Sequence, residues 1–260
     1  MTCVPGCGWV STQPSVAEII SCPKKTITCP FKSHKVSYAL FGCFFTTKIG
    51  TRMYIRNLRK PSPNKNIFKF ASAKNKDTIM CEGSLEKDCC YHFEYDADVV
   101  SFESQPKGFL YDFDGKQLPY TPDFFVIYTD GCYSFVETKP YSKTLSKEFK
   151  LKFRARKQAA KKLGFDLILV TDKQIRTGYF LKNSEMVHRY SGCIEGDSLT
   201  DAVLEELLIS KAIKIYELAQ RISSSIGEVF ASVLRLISVG KARTDFDLEM
   251  LNENSIISVN

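Results

Sequence analysis

The stretch from Pro122 to Lys139, PDFFVIYTDGCYSFVETK, sets the tightest limit on how this chain folds. Two apolar runs, Phe124–Tyr128 and Tyr133–Val136, flank Thr129-Asp130-Gly131, the pattern of a β-hairpin with glycine available where φ must be positive. Loop length decides which side chains share a face. A turn of only Asp130-Gly131 would set Asp123 opposite Thr138, and Asp123 and Glu137 would then point to opposite faces. A loop of Thr129-Asp130-Gly131 pairs Tyr128 with Cys132 and Asp123 with Glu137, and Gly131 supplies the left-handed residue on which such loops commonly end. Glu137 and Lys139 share a face because side chains repeat every two residues. The longer loop therefore predicts that Asp123, Glu137 and Lys139 converge.

Two unpaired carboxylates beside a lysine repel each other, and a hard divalent cation bound by oxygen would relieve this. The lysine could then orient or deprotonate a water, or steady a phosphate. The competing reading is an ordinary hairpin whose terminal charges are solvated.

Charge placement bears on the choice. The net charge is +7. Ten basic residues lie between Lys139 and Gly164 against one acid, Glu148, whereas residues 201–260 carry nine acids and six bases. The basic excess follows the hairpin, as a polyanionic partner would require, although a charge run is also the ordinary make-up of a solvated helix face. Lys143, Lys147, Lys150, Lys152, Arg154, Arg156 and Lys157 are the candidate nucleic-acid contacts. The longest apolar run, YALFGCFFTTKI at residues 38–49, is too short and too polar to span a bilayer.

Ten cysteines are spread without any C-x-x-C pair. Cys3, Cys7, Cys22 and Cys29, with His34 nearby, have only poor spacing for zinc. Cys81, Cys89, Cys90, Cys132 and Cys193 read as buried thiols of a reducing compartment. His34, His92 and His188 are isolated and read as surface or core residues. No phosphate-binding glycine loop, dinucleotide fingerprint or serine-nucleophile elbow is present.

Residues 1–52 hold half the cysteines and show no periodicity, and they lack the layout of a signal peptide. They are expected to be a dispensable N-terminal extension, with Met53 a candidate natural start. A basic, proline-broken lead-in and two short strands, Ile67–Ala71 and Thr78–Cys81, come next. Ser84 is placed to cap a helix over Leu85–Tyr95 with Leu85, Cys89 and Phe93 inward and Glu86 at the stripe's boundary. Val99–Glu103 reads as a strand, and Phe109–Phe113 turns at Asp114-Gly115 toward Leu118 and Tyr120. After the hairpin, a helix over Leu145–Leu163 is expected, with Leu145, Phe149 and Phe153 as its apolar stripe, continued less regularly by Ala159, Ala160 and Leu163, and with its end at Gly164. Phe165–Thr171 reads as a strand buried on both faces. This order predicts an α/β core with a mixed sheet. Farther on, helices at Leu204–Leu208, Lys211–Ile222 and Ile226–Ile237, with a small β-wing within Asp247–Val259, suggest a winged helix; plain helical packing is the alternative.

Glu86, Pro122-Asp123 and Glu137-x-Lys139 together resemble the PD-(D/E)xK nuclease superfamily. The fuller run, SLEKD, FEYDADVVSFESQP, PYTPDF, FVETKP, a basic helix and LVTDKQIRTGYFLKN, resembles the TnsA endonuclease subunit of heteromeric DNA transposases over residues 53–190. The resemblance implies a restriction-endonuclease-like mixed sheet flanked by helices over 53–172, followed at 173–260 by a small winged-helix-like domain for partner or DNA binding. It implies Mg²⁺-dependent cleavage, with Mn²⁺ as substitute, of the 5′ non-transferred strand at transposon ends. Glu86, Asp123, Glu137 and Lys139 fall on catalytic positions. Glu86, Asp123, Glu137 and the Thr138 carbonyl fall on metal-ligand positions, and Gln105 of the Q-P motif is a pocket residue. The implied partners are double-stranded DNA, the DDE transposase TnsB and the AAA+ regulator TnsC, in a bacterial cytoplasm, at the nucleoid and away from any membrane. Two other functions compete: a stand-alone restriction or repair nuclease, and a non-catalytic DNA-binding adaptor on a nuclease fold.

Overall fold

In the computed structural model, residues 66–192 and 197–259 are described. The expected N-terminal extension, the cysteine group within it, His34 and Cys193 lie outside those residues.

Two short apolar stretches pair as an antiparallel hairpin, β1 (Phe68–Ser72) with β2 (Asp77–Cys81). Helix α1 (Ser84–Tyr95) follows, with Cys89 and Phe93 fully buried and Leu85 packed beside them. Ser84 does not cap it. Gly83 holds the N-cap position, and the Ser84 hydroxyl instead accepts a hydrogen bond from Arg176. Strand β3 (Val99–Ser104) leads to a second hairpin, β4 (Phe109–Phe113) and β5 (Lys116–Tyr120). Its turn residues Asp114 and Gly115 both have positive φ, the conformation that matches the twist of paired strands.

The main sheet has four strands in the order β3, β6 (Phe124–Tyr128), β7 (Tyr133–Lys139), β8 (Asp166–Thr171). β6 is antiparallel to both neighbours and β8 is parallel to β7, so the sheet is mixed, as expected. A parallel neighbour needs a crossover. Here it runs through the short helix α2 (Tyr141–Thr144) and the long helix α3 (Lys147–Lys162). Strand alternation then divides the core. Phe124, Val126, Val136 and Val170 face α1, whereas Phe135 and Leu167 face α3 and the β4–β5 hairpin. At about 2–3 kcal/mol for each fully buried large apolar side chain, these two layers dominate the stability of the sheet.

Helix α3 starts later than the sequence suggested. The Ser146 hydroxyl accepts from the Phe149 N–H and caps it, which leaves Leu145 outside the helix and 52% exposed. Gly164, at φ +87°, ends it as expected. Cys81, Cys89 and Cys90 are buried thiols, but Cys132 is exposed because it flanks the hairpin loop.

Beyond β8 come α4 (Asp172–Ile175), α5 (Phe180–His188), α6 (Ser198–Ser210), β9 (Ala212–Lys214), α7 (Ile215–Ile222), α8 (Ile226–Ser238) and β10 (Ile256–Ser258). Lys211–Ile222 is therefore not one helix. Lys211 takes φ +60° and closes α6, and the next three residues are a strand. Asp247–Val259 supplies only β10, which pairs antiparallel with β9 and is bridged to Arg243, in place of a self-contained wing. These elements enclose a further core around Leu207, Leu218, Val233, Leu234 and Ile257. Helix α5 reaches both sides, with Leu181 against the sheet's core and Val187 in the C-terminal one. Overall the architecture is mixed α/β. Among the described residues, no helix is long and apolar enough to cross a membrane.

Candidate active site

The β6–β7 register is that of the longer loop. Phe124 pairs with Val136 and Ile127 with Tyr133, so the same diagonal sets Asp123 against Glu137 and Tyr128 against Cys132. The Tyr128 N–H donates to the Cys132 carbonyl at 2.9 Å, the Gly131 N–H donates to the Tyr128 carbonyl, and Gly131 takes φ +80°.

The side chains do not, however, lie along one face. Glu137 and Lys139 point to the α3 side, with Lys139 Nζ 3.2 Å from Glu137 Oε1. Asp123 sits in the bend just before β6, where strand alternation no longer dictates direction. Its Oδ2 accepts from both the Thr138 N–H (2.8 Å) and the Thr138 hydroxyl (2.9 Å). Thr138 alternates with Glu137 and so leans toward α1. The acids thus meet around the end of the strand pair and not on one surface of the sheet.

Glu137 is almost fully buried, at 3% exposure. The Tyr120 hydroxyl donates to its Oε2 at 2.7 Å, and Arg156 Nη1 stands 3.8 Å from Oε1. Glu86, in the first turn of α1, accepts the Glu82 N–H at 2.8 Å.

The electrostatics record the crowding. The Asp123 carboxyl is pushed up to about 8, first by burial and then by the charges of Glu137 and Glu86. Burial likewise raises Glu86, with Glu137 contributing and Lys139 opposing. For Lys139, burial acts to lower the ammonium pKa, but Glu137 and Asp123 outweigh it and hold the group above its ordinary value. The two acids thus favour the charged form of Lys139. Burial, then Glu137, keeps the Tyr120 phenol protonated and donating.

Gln105 is buried beside this site. Its N–H donates to the Asp123 carbonyl at 2.8 Å, its φ is +49°, and among the described residues its side-chain oxygen has no hydrogen-bond partner. Three residues on, Gly108 presses so closely on β5 that a Cβ there would lie 2.4 Å from the Tyr120 carbonyl. The loop from Gln105 to Gly108 thereby clamps the segment that carries both Tyr120 and Asp123.

The basic helix divides by face. Lys147, Lys150, Arg154 and Lys157 on α3, with Lys143 on α2, are exposed. Lys152 is half-buried, paired with Glu148 and set over the Phe113 ring. Arg156 turns inward, over the Tyr120 ring at 4.3 Å. His92 and His188 stack on Phe180 and Phe70, a packing role.

The donor set fits a hard cation in its chemistry. It is all oxygen, and a divalent charge would relieve the repulsion that raises Asp123. Yet among the described residues no group of three or more His, Cys, Asp or Glu side chains is gathered as a ready metal cage. Thr138, Tyr120, Lys139 and Arg156 take the carboxylate oxygens instead.

Sequence reasoning missed Tyr120, the inward turn of Arg156 and the clamp at Gly108. Arg156 carried a signal: with Phe153, Ala160 and Leu163 it falls on the helix's apolar stripe.

Residues 96–172 match the family model for the TnsA-like endonuclease N-terminal domain. The matched stretch runs from the end of α1 through β8 and contains Gln105, Asp123, Glu137, Thr138, Lys139 and the basic helix; Glu86 lies ahead of it. A search of curated proteins finds no match.

Proposed function

Starting from the similarity of residues 96–172 to TnsA-like endonucleases, we propose that this chain is the Mg²⁺-dependent nuclease subunit of a heteromeric transposase, cutting the 5′ non-transferred strand at transposon ends. The observation that carries the reading is the hairpin register, which sets Asp123 against Glu137 inside the matched stretch, with Lys139 Nζ 3.2 Å from Glu137 Oε1.

Asp123, Glu137 and the Thr138 carbonyl would hold the cation, with Glu86 completing its oxygen shell. When bound, the ion would polarise the phosphodiester and lower the pKa of the attacking water. The chain's own groups do the rest. Lys139 Nζ keeps its proton and offers charge to the phosphate oxygens as negative charge builds there. The Tyr120 hydroxyl fixes Glu137 Oε2, and the Gln105 N–H fixes the Asp123 carbonyl. The exposed row Lys143, Lys147, Lys150, Arg154 and Lys157 tracks the duplex backbone, while Lys152 serves it less because Glu148 holds it.

In this reading, residues 53–172 form the nuclease domain and 173–260 a winged-helix-like module that docks partners. A DDE transposase, TnsB, would cut the 3′ ends, and an AAA+ regulator, TnsC, would engage the C-terminal module. The acids' existing protein partners favour one other reading, a non-catalytic adaptor.

Strand-specific cleavage of end-labelled transposon-end DNA, with the partner transposase added, separates the two. Asp123→Ala and Lys139→Ala are expected to lower 5′-strand cleavage at least about 100-fold while the complex still assembles. Wild-type cleavage by either variant would contradict this assignment of the site.

A further inference from the structure

We propose that Arg156 is a phosphate-contacting residue of the active centre, held on Glu137 until a DNA phosphodiester takes its guanidinium. The inference rests on the nuclease reading of this site.

Four observations carry it. First, Arg156 leaves the solvent row of its helix and turns inward, where its side chain is 20% exposed. Second, its guanidinium lies over two rings, Tyr120 at 4.3 Å and Tyr111 at 5.3 Å, which orients the plane without using its N–H donors. Third, its bond to Glu137 is loose: Nη1 stands 3.8 Å from Oε1, and among the described residues the buried Nε has no hydrogen-bond partner. A buried donor left unmade carries a penalty that an anion would remove. Fourth, Glu137 Oε1 already has Lys139 at 3.2 Å, so two cations share one carboxylate oxygen and Arg156 is the more distant of them. A planar fork with spare donors, weakly held by its carboxylate, matches a phosphodiester, whose paired oxygens accept such a fork.

The same geometry couples two ligands. While Arg156 sits on Glu137 it competes with any cation for that oxygen. When a phosphate draws it away, Glu137 Oε1 keeps only Lys139 and has more of its charge to offer a cation. By linkage, DNA then strengthens cation binding and the cation strengthens DNA binding.

The test uses the full chain with Mn²⁺ and a fluorescein-labelled duplex of random sequence, in Arg156→Gln, Arg156→Lys, Lys150→Ala and Asp123→Asn variants. Arg156→Gln is expected to bind Mn²⁺ about three- to tenfold more tightly without DNA, because a competing cation is gone. It is expected to bind the duplex more weakly, with a salt slope smaller by about one. Arg156→Lys, which keeps the charge but not the planar fork, should leave Mn²⁺ affinity near wild type and lose part of the duplex affinity. Lys150→Ala should weaken the duplex alone. Unchanged duplex affinity in both Arg156 variants, or Mn²⁺ affinity unmoved by Arg156→Gln, overturns the proposal. If Asp123→Asn binds Mn²⁺ like wild type, the nuclease reading itself falls and this inference goes with it. If Asp123→Asn abolishes Mn²⁺ binding while Arg156→Gln changes nothing, only the role of Arg156 is lost.

Discussion

Single residues of this protein show how burial sets charge. His92 lies on the inner side of α1, donates from Nε2 to the Ile175 carbonyl at 2.9 Å and stacks on Phe180. Burial, the leading cause, drops its pKa from 6.5 to about 4. The unfolded chain therefore binds a proton near pH 6.5 that the folded protein refuses until about pH 4. Across that window the unfolded state holds more protons, so stability rises with pH and is lost on acidification, by about 3 kcal/mol for this residue. His188 is lowered by burial too and acts in the same direction. Thermal melts at pH about 4.5 and about 7 should differ less in His92→Gln than in wild type. An isolated histidine in the sequence told only that a metal role was poorly supported. Its packing depended on α4 and α5, which lie far along the chain. Arg156 was legible only in part: it shares the helical spacing of Phe153 and Ala160 but belongs to a basic run that reads equally as a solvated face.

At the scale of elements, the hairpin was the most readable part of the chain. Apolar alternation fixed its strands, whereas Asp130-Gly131 also suits a two-residue turn, so the longer loop is settled by the observed pairing of Phe124 with Val136. What the pattern could not give was the direction of Asp123, since that side chain lies in a bend where alternation lapses and Thr138 captures it. Replacing Gly131, at φ +80°, with valine should destabilise the protein by about 1–2 kcal/mol, read from the denaturation midpoint at constant slope. Of the β9–β10 pair, β10 was legible within the expected wing and β9 was not. Three residues of strand between two helices carry too little pattern to separate from a continuous helix, and their partner lies some forty residues on.

Across the whole molecule, one buried side chain stitches the C-terminal segment to α5. Asn183 is fully buried; its amide N–H₂ donates to the Phe246 and Glu249 carbonyls at 2.9 and 2.7 Å, and its carbonyl accepts the Leu251 N–H at 2.9 Å. Asn183→Ala strands three backbone groups and should cost about 2–4 kcal/mol, with hydrogen exchange rising first over residues 246–251. The layered α/β plan and the mixed sheet were readable from element order, whereas such long-range polar ties were not. The end of the β6–β7 pair is proposed to bind a hard divalent cation through Asp123 and Glu137. Isothermal titration of the full chain with Mg²⁺ should show a saturable site in wild type that disappears in Asp123→Asn and is kept in Lys150→Ala; no Mg²⁺ heat in wild type, or equal binding by Asp123→Asn, would rule that site out.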